Sequence, residues 1–259
     1  ALVIGYQAFC YTPSLTAVRI PARTVAIDDS AFSNSALASL TFEDDSKLSA
    51  IGNSAFYGTK LKSLALPTSL REIGDGAFAN CGYLVAATLP EGLITVGKEV
   101  FKESYQLVSV SLPSTLQTLE TCAFEGCYNL KNVSFAKNSV IKVLYVGTFQ
   151  GCTGLEAIEL PASLTKIPNR GEGDNLFGDD YKGLFCGCSA LKRVTFEEGS
   201  KLTKIGNYAF SETALESIVI PSSVESIGEC AFESTKLTSL TIPATVTSLG
   251  TQAFYYCEN

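Results

Sequence analysis

Apolar and polar residues follow one another along this chain in a unit that returns about every 23 residues. A typical unit opens with Leu-x-x-Leu-x-Leu, as at residues 61–66, and continues with a proline, an Ile-Gly pair and an Ala-Phe pair. The alternation predicts a short strand with Leu64 and Leu66 buried and with Ser63 and Ala65 exposed. Proline ends the strand because it has no N–H to donate. The glycine allows a tight turn or a positive φ, and Ala-Phe predicts a short helical turn whose ring faces the core.

The phenylalanines set the period of the repeat. Eleven of them are 22 to 25 residues apart, except for one interval of 36 residues. A fixed period of this length indicates a stack of coils, in which each coil buries its apolar residues against its neighbours. Burial of each ring is worth about 3–5 kcal/mol relative to alanine. We predict a structural ladder of Phe32, Phe56, Phe78, Phe101, Phe124, Phe149, Phe185, Phe210 and Phe232, with Phe9 and Phe254 beyond its ends.

A column of small polar residues accompanies the ladder. The third residue after each phenylalanine carries a hydroxyl or a thiol: Thr12, Ser35, Thr59, Cys81, Ser104, Cys127, Cys152, Cys188, Thr213, Thr235 and Cys257. Buried turns leave backbone groups that need hydrogen-bond partners, and such side chains supply them locally. We therefore interpret this column as structural.

The consensus Leu-x-x-Ile-x-Ile-Pro-x-Ser-Val-x-x-Ile-Gly-x-x-Ala-Phe resembles the BspA-like leucine-rich repeat, and residues 215–232 match it almost position for position. The resemblance covers essentially the whole chain. It implies a right-handed leucine-rich-repeat solenoid with a parallel β-sheet on the concave side and short strands, 3-10 or helical turns elsewhere. It thus implies a single domain of about eleven coils over residues 1–259. It also implies secreted or surface proteins of anaerobic bacteria and some parasitic protists, several of them linked to adhesion to host proteins, so we expect an extracellular or cell-surface location.

Four segments depart from the repeat. Residues 42–48, 135–140 and 196–202 lack the proline and are longer by two residues, which predicts wider turns with solvated charges. A longer insertion lies near residues 168–180, for which we expect a mobile surface loop. The alternative is a Ca²⁺ site formed by the carboxylates of Glu172, Asp174, Asp179 and Asp180, although their spacing does not fit an EF-hand. No metal or cofactor is predicted.

The nine cysteines do not suggest a disulfide framework, because their number is odd and most lie at ladder positions. We expect mostly free thiols. A bridge between two of Cys127, Cys152 and Cys188 is the alternative, since these residues fall in consecutive coils. Cys186 and Cys188 resemble half of a zinc site, but the chain has no histidine and no second pair to complete it.

Composition narrows the function. The net charge of −7, without clustered Lys or Arg, argues against a nucleic-acid partner. The absence of histidine excludes the usual general base and triads built on it, and no nucleophile elbow or phosphate loop is present, so we do not expect an enzyme. No apolar run approaches the roughly 20 residues of a membrane span. There is no signal peptide and no methionine, and the chain starts at Ala1 within a repeat, so we interpret it as a processed chain or a fragment.

The outward side chains of the concave sheet are the predicted binding face. The candidate residues are Ser39, Thr41, Ser63, Thr88, Ser109, Ser111, Asn132, Ser134, Arg193 and Thr195. Most are small, so the face is flat and has few of the Tyr, Trp and Arg side chains that dominate binding energy. Asn132 begins a glycosylation sequon in mid-strand. Tyr83, Tyr105 and Tyr128 form either a second patch at the edge or a cover over the core.

These observations favour a non-catalytic binding or adhesion module that presents its repeats to a protein partner or a host surface. The alternative is a structural protein that self-associates end to end, because solenoids without caps expose strand edges and core. A third hypothesis is that the Ser/Thr face orders water or binds glycan.

Overall fold

The computed structural model describes residues 1–169, 172 and 183–257 of the chain. The described residues form a parallel β-solenoid of about ten turns, and none of them lies in a helix. The predicted solenoid fold is therefore confirmed. The larger part of the insertion near 168–180, including Asp174, Asp179 and Asp180, lies outside the described residues.

Each coil contributes up to two strands. The first is formed by the Leu-x-x-Leu-x-Leu segment; these long strands are β2 Ala17–Ile20, β4 Ser39–Phe42, β6 Ser63–Ala65, β8 Ala86–Thr88, β10 Ser109–Leu112, β12 Asn132–Phe135, β13 Ala157–Leu160 and β15 Arg193–Phe196. The second ends at the residue before the glycine position; these short strands are β1 Leu2–Ile4, β3 Thr24–Ile27, β5 Ala50–Ile51, β7 Glu72–Ile73, β9 Thr95–Val96, β11 Thr118–Leu119, β14 Lys166–Ile167, β16 Lys204–Ile205, β17 Ser226–Ile227 and β18 Ser248–Leu249.

Equivalent strands of successive coils pair in parallel and in register. The short strands form a six-stranded sheet, β1-β3-β5-β7-β9-β11, and a four-stranded sheet, β14-β16-β17-β18. The long strands form three separate groups: β2-β4, β6-β8-β10-β12 and β13-β15. Within each group the repeat phase is kept, so that Ser109 faces Asn132 and Val110 faces Val133.

The phenyl rings stack in one continuous column through the core. Eleven rings, from Phe9 to Phe254, form ten successive stacked pairs with centroid separations between 5.0 and 5.7 Å. The nine inner rings are fully buried, whereas Phe9 at one end is 38% exposed. Stacked pairs add about 0.5–1.5 kcal/mol to the burial of each ring. The column is thus both the centre of the core and the axis of the stack.

The segment around each phenylalanine is not the helical turn that the sequence predicted. It is a run of tight turns in which the residues two before and two after the phenylalanine have positive φ, as at Ser54 (52°) and Gly58 (65°). The exception is Gly183, two before Phe185, which does not have a positive φ. This geometry turns the backbone N–H groups towards the next coil instead of along a helix. The amide of Phe56, for example, donates to the carbonyl of Ala77 at 2.8 Å. The equivalent bond occurs at all ten steps from Phe9 to Phe232, and we call this series the turn ladder.

The glycine of the Ile-Gly pair has a different role from the one expected. Gly74 does not have a positive φ. A Cβ added there would lie 2.7 Å from the backbone N and from Oδ1 of Asn53, in the preceding coil. Gly97 and Gly228 show the same close approach. Glycine is therefore needed because adjacent coils touch at this point, and not because of its conformational freedom.

The column of small polar residues satisfies backbone carbonyls beside the phenylalanines. Cysteine and serine reach the preceding coil: the Cys127 thiol donates to the carbonyl of Phe101 at 3.1 Å. Thr12, Thr213 and Thr235 bond within their own coils, and Thr213 Oγ1 donates to the carbonyl of Phe210 at 2.8 Å. Thr59 instead bonds the Cys81 thiol of the next coil at 3.3 Å. Ser35 is the exception, because its buried Oγ has no partner. All nine cysteines are free thiols, so none of the possible bridges is present.

The long-strand sheet is interrupted at four steps. No backbone hydrogen bond joins β4 to β6 or β12 to β13. Residues 217–220 and 239–242, which the repeat predicts as the next two long strands, form no strand. The first three interruptions each follow one of the longer, proline-free turns, which begin at Phe42, Phe135 and Phe196. These turns therefore do more than carry solvated charge, since they mark where the sheet opens.

Candidate binding face

The ten predicted binding residues lie on the long strands and point outward. Nine of them are exposed, and Ser109 is half-buried. The residues between them, such as Leu64 and Val110, point into the core. Hydroxyls of neighbouring coils meet across this surface, and Ser134 Oγ donates to Ser111 Oγ at 3.2 Å. We call the surface made by the outward residues of β2, β4, β6, β8, β10, β12, β13 and β15 the long-strand face.

Four of the predicted residues come together at the opening between β12 and β13. This opening, the central cleft, has a volume of about 550 Å³. Its polar lining consists of Lys131, Asn132, Ser134, Glu159, Arg193 and Thr195. The other six predicted residues are spread over β4, β6, β8 and β10 and do not share this cleft.

The central cleft is open because of two local features. β12 and β13 are neighbours, but no strand hydrogen bonds hold them together. Ala157 is the register partner of Arg193 and has only a methyl group, so it leaves space between the long side chain of Arg193 and Asn132 on the far strand. The cleft is thus a direct result of the strand spacing and of one small residue.

Charges of both signs line the central cleft. Lys131 and Arg193 are exposed cations and Glu159 is an exposed anion. No salt bridge within 4.0 Å links these three among the residues that the structure describes. The cleft carries one net positive charge on a chain whose net charge is −7. It therefore offers free charges, an amide and hydroxyls to a partner, in contrast to the neutral Ser/Thr surface around it.

Lys131 and Glu159 were absent from the candidate residues predicted from sequence. The outward column of the repeat contains Glu159, so its position could have been found from the strand alternation. Lys131 precedes its strand, and its approach to the cleft depends on the strand separation, for which the repeat pattern gives no signal.

A second opening lies on the other side of β15. It has a volume of about 530 Å³ and is lined by Arg193, Phe196, Val219 and Pro221, among others. Val219 belongs to an outward column of the repeat, and this apolar side chain is 85% exposed. Arg193 lines both openings.

Two of the three predicted edge tyrosines form a patch. The rings of Tyr105 and Tyr128 stack at 5.4 Å, and both are exposed. Tyr83 is exposed as well but does not stack on them. Partial burial and the nearby Glu103 carboxylate raise the pKa of Tyr105. The tyrosines therefore form an exposed ridge and do not cover the core.

Carboxylates and amides also form a ladder beside the short strands. Asn53 N donates to Asp29 Oδ1 at 2.6 Å, and the amide of Asp75 donates to Asn53 Oδ1 at 2.8 Å. The Lys98 amide continues the series by donating to Asp75 Oδ1 at 2.8 Å. These oxygens are occupied by the backbone of the next coil, so their role is structural. Within the described part of the chain, no group of three His, Cys, Asp or Glu residues is placed to hold a metal ion.

The insertion contributes one described carboxylate. Glu172 forms an ion pair with Lys204, and this contact lowers the pKa of Glu172. The side chain of Asn169 completes the junction with the next coil, because its Oδ1 accepts the amide of Asn207 at 3.0 Å. The one described carboxylate of the insertion is thus paired with a lysine.

Comparisons with known proteins agree with this architecture. Residues 2–127, 71–171 and 181–259 match, in six copies, the model of the family described as BspA type leucine-rich repeat region. The structure is similar to that of the pneumococcal vaccine antigen PcpA, with 24% identity, a TM-score of 0.64 and 96% of this chain covered. This chain spans 64% of the PcpA structure. It is also similar to the T. pallidum leucine-rich repeat protein TpLRR, with 31% identity, a TM-score of 0.53, and 60% of this chain and 72% of that chain covered.

No curated protein sequence matches the chain. In the part of the chain that the structure describes, no helix has the length and apolar character needed to cross a membrane.

Proposed function

Because the chain belongs to the family of proteins with BspA-type leucine-rich repeats, we propose that it is a non-catalytic binding module whose long-strand face contacts a protein partner. The observation that carries this proposal is the central cleft. It gathers unpaired charges of both signs on a face whose other outward residues, Arg19 excepted, are small and uncharged. Arginine is among the residues that contribute most to protein interfaces, and Arg193 lies between the two openings of the face.

The partner is expected to be a protein of the host or of its surface, and the chain is expected to act outside the cell. Both statements rest on the resemblance to the BspA-like family. The similar pneumococcal protein is described as a vaccine antigen, which fits a surface-exposed scaffold. The excess of negative charge on the whole chain and the absence of clustered cations support a protein rather than a nucleic acid.

The test compares two arginines of the same face. Arg193→Ala removes the cation of the central cleft, and Arg19→Ala removes an equally exposed arginine from β2. Both variants and the unchanged chain are tested at micromolar concentration for binding to immobilised matrix proteins and to whole host cells. We expect measurable binding that Arg193→Ala weakens about tenfold or more and that Arg19→Ala leaves nearly unchanged. Failure of the unchanged chain to bind, or equal losses for the two variants, would contradict the proposal.

End-to-end self-association stays the alternative. The outermost coils of the described stack expose apolar side chains: Phe9 and Val3 in the first coil, and Leu249 in the last. A second copy stacked on either coil would cover them and continue the phenyl column. Light scattering over a concentration series tests this alternative, because a mass that stays monomeric at all concentrations excludes it.

A further inference from the structure

The steps between coils are bonded unequally on the two sides of the solenoid. On the phenylalanine side, every one of the ten steps has a stacked ring pair and a bond of the turn ladder. On the long-strand side, four steps have no strand pairing. One side of the stack is therefore continuous, whereas the other is divided into blocks.

At the residue after the strand end, the longer turns donate a backbone hydrogen bond to the preceding coil but receive none from the following coil. The Glu43 amide donates to the carbonyl of Ile20 in the preceding coil at 3.0 Å, and Glu197 bonds Leu160 in the same way at 3.0 Å. The equivalent residue of the following coil is a proline, such as Pro67 after Glu43, which has no N–H to return the bond. Proline also stands at bonded steps, for example at Pro90, so its missing donor is not sufficient by itself.

What distinguishes the three steps is a phenylalanine at the end of the strand combined with two extra turn residues. Phe42, Phe135 and Phe196 occupy a position that is leucine or isoleucine in the other coils, and each is only partly buried. A coil with two extra turn residues forms strand hydrogen bonds with the shorter coil before it. The shorter coil after it takes a different backbone path and does not pair with it. The last open step, between 217–220 and 239–242, follows a turn of ordinary length and keeps one bond, from Thr238 N to the carbonyl of Glu216 at 3.4 Å.

On the short-strand side, the step at the central cleft keeps some bonds and lacks one. The isolated bridge joins Val143 to Lys166, and the amides of Thr165 and Lys166 donate to the carbonyl of Lys142 at 2.8 and 3.3 Å. Pro168 has no N–H to form the bond that Gly74 N makes to Ile51 O at another step. The phenylalanine side is intact there, since Phe149 and Phe185 stack at 5.4 Å and the Phe149 amide donates to the carbonyl of Leu184 at 3.0 Å.

We propose that the solenoid bends at these open steps about the phenyl column, so that the long-strand face opens and closes, with its main hinge at the central cleft. Separation of β12 from β13 breaks no backbone hydrogen bond, whereas separation at the turn ladder breaks a bond and a ring contact. Lys131 and Asn132 lie on one side of the hinge, and Glu159 and Arg193 lie on the other. Bending therefore changes the width of the cleft. This inference does not depend on the identity of any partner.

Amide hydrogen exchange of the unchanged chain provides the first test. Three successive positions of the repeat differ in backbone bonding. Lys131 N donates to Val108 O at 2.9 Å and Lys192 N to Glu156 O at 2.9 Å, whereas the intervening Glu156 N donates no backbone hydrogen bond among the residues that the structure describes. With residue-level detection, we expect the Glu156 amide to exchange at least about tenfold faster than those of Lys131 and Lys192. Equal protection at the three positions would show that β12 and β13 are bonded in solution and would overturn the proposal.

A closing disulfide provides the second test. Asn132→Cys with Ala157→Cys places two thiols across the hinge, and Ser109→Cys with Asn132→Cys places them across a bonded step as the matched control. A disulfide needs Cα atoms about 4.4–6.8 Å apart, a range that strand pairing secures for the control pair and that the unbonded hinge pair has to reach by closing the cleft. We expect both pairs to bridge on mild oxidation, the hinge pair at least about threefold more slowly, and the bridged hinge variant to protect the Glu156 amide.

The alternative results are decisive. If the control pair bridges and the hinge pair does not, the cleft is a rigid opening and no hinge exists. If both pairs bridge at the same rate, the cleft is closed in solution. A hinge bridge that leaves Glu156 exchanging as fast as before would show that closure does not restore strand pairing, and would also overturn the proposal.

Discussion

Replacement of Gly74 by alanine tests how the coils of this solenoid pack against each other. The added Cβ would lie 2.7 Å from the backbone N and from Oδ1 of Asn53, and 2.8 Å from the carbonyl carbon of Gly52. Two of these three atoms belong to the backbone and cannot rotate away. The coils must therefore move apart at this point, although the conformation of residue 74 itself is one that alanine can adopt.

The size of the effect follows from the contacts that the movement weakens. Overpacking in a close-packed region costs about 1–3 kcal/mol. Separation of the coils also strains the bond from Gly74 N to Ile51 O and that from Asp75 N to Asn53 Oδ1, both 2.8 Å long. Each such bond contributes about 0.5–1.5 kcal/mol net. We expect Gly74→Ala to lower the free energy of unfolding by about 2–5 kcal/mol.

Gly5 is the matched control, because it occupies the same repeat position in the first coil and an added Cβ would meet no atom within 4 Å. Gly5→Ala should be neutral or stabilising by up to about 1 kcal/mol, since alanine lowers the entropy of the unfolded chain. Urea unfolding followed by circular dichroism measures both variants. If both lose stability equally, the repeat requires glycine for its conformation, and the argument from close approach is wrong.

Three further predictions concern the core and its polar column. Phe101→Ala should lower the free energy of unfolding, measured by heat or urea, by about 3–5 kcal/mol. Phe9→Ala should lower it clearly less, because Phe9 is 38% exposed and stacks on one ring only. Burial raises the pKa of the Cys81 thiol from 9.0 to about 11. The stability that the neutral buried thiol contributes is therefore fully present below pH 9 and should be lost as the pH rises from 9 to 11. Urea midpoints measured over this pH range should fall less for Cys81→Ser than for the unchanged chain. Ser35→Ala should be neutral or stabilising in the same assay, because the buried Oγ of Ser35 has no partner, and a clear loss of stability would contradict this.

The periodic features of the fold could be predicted from the sequence because each coil has the same contacts. The phenylalanine spacing places one ring per coil, and one ring per coil can only form a column. The strand segments followed from alternation for the same reason: Leu64 and Leu66 are buried, whereas Ser63 and Ala65 are exposed. Because every coil repeats the same residue pattern, the pattern within one coil also predicts which residues contact each other between coils.

Backbone conformation was harder to predict. The two residues with positive φ in each coil carry no common signal, since the position two before the phenylalanine is Ser54 in one coil, Glu99 in another and Tyr208 in a third. Such residues accept the left-handed region here because the turn ladder holds them there. The glycine of the Ile-Gly pair, the obvious candidate for that conformation, is required by the neighbouring coil instead.

The openings of the long-strand sheet did have a signal in the sequence. The three proline-free turns mark three of the four interruptions, yet a turn judged alone shows only two extra residues and some charge. Its effect depends on the width of the next coil, which is a property of two repeats together. For the same reason the central cleft was only partly predicted: Asn132 and Arg193 followed from the strand alternation, whereas the approach of Lys131 depends on the separation of β12 and β13.

The two sides of the solenoid consequently differ in how well they tolerate substitution. On the phenylalanine side, a change at one position removes a ring contact with two neighbours and breaks the continuity of the stack, so variation there costs stability. On the long-strand face, the outward residues, such as Glu159 and Arg193, are exposed and make few contacts with the core, so substitutions there have little effect on folding. A scaffold of this kind can acquire new partners by changing the outward residues, and the open steps then determine which of those residues can move relative to each other. The central cleft is where both properties coincide, because free charges lie on each side of the step between β12 and β13, which no strand pairing joins.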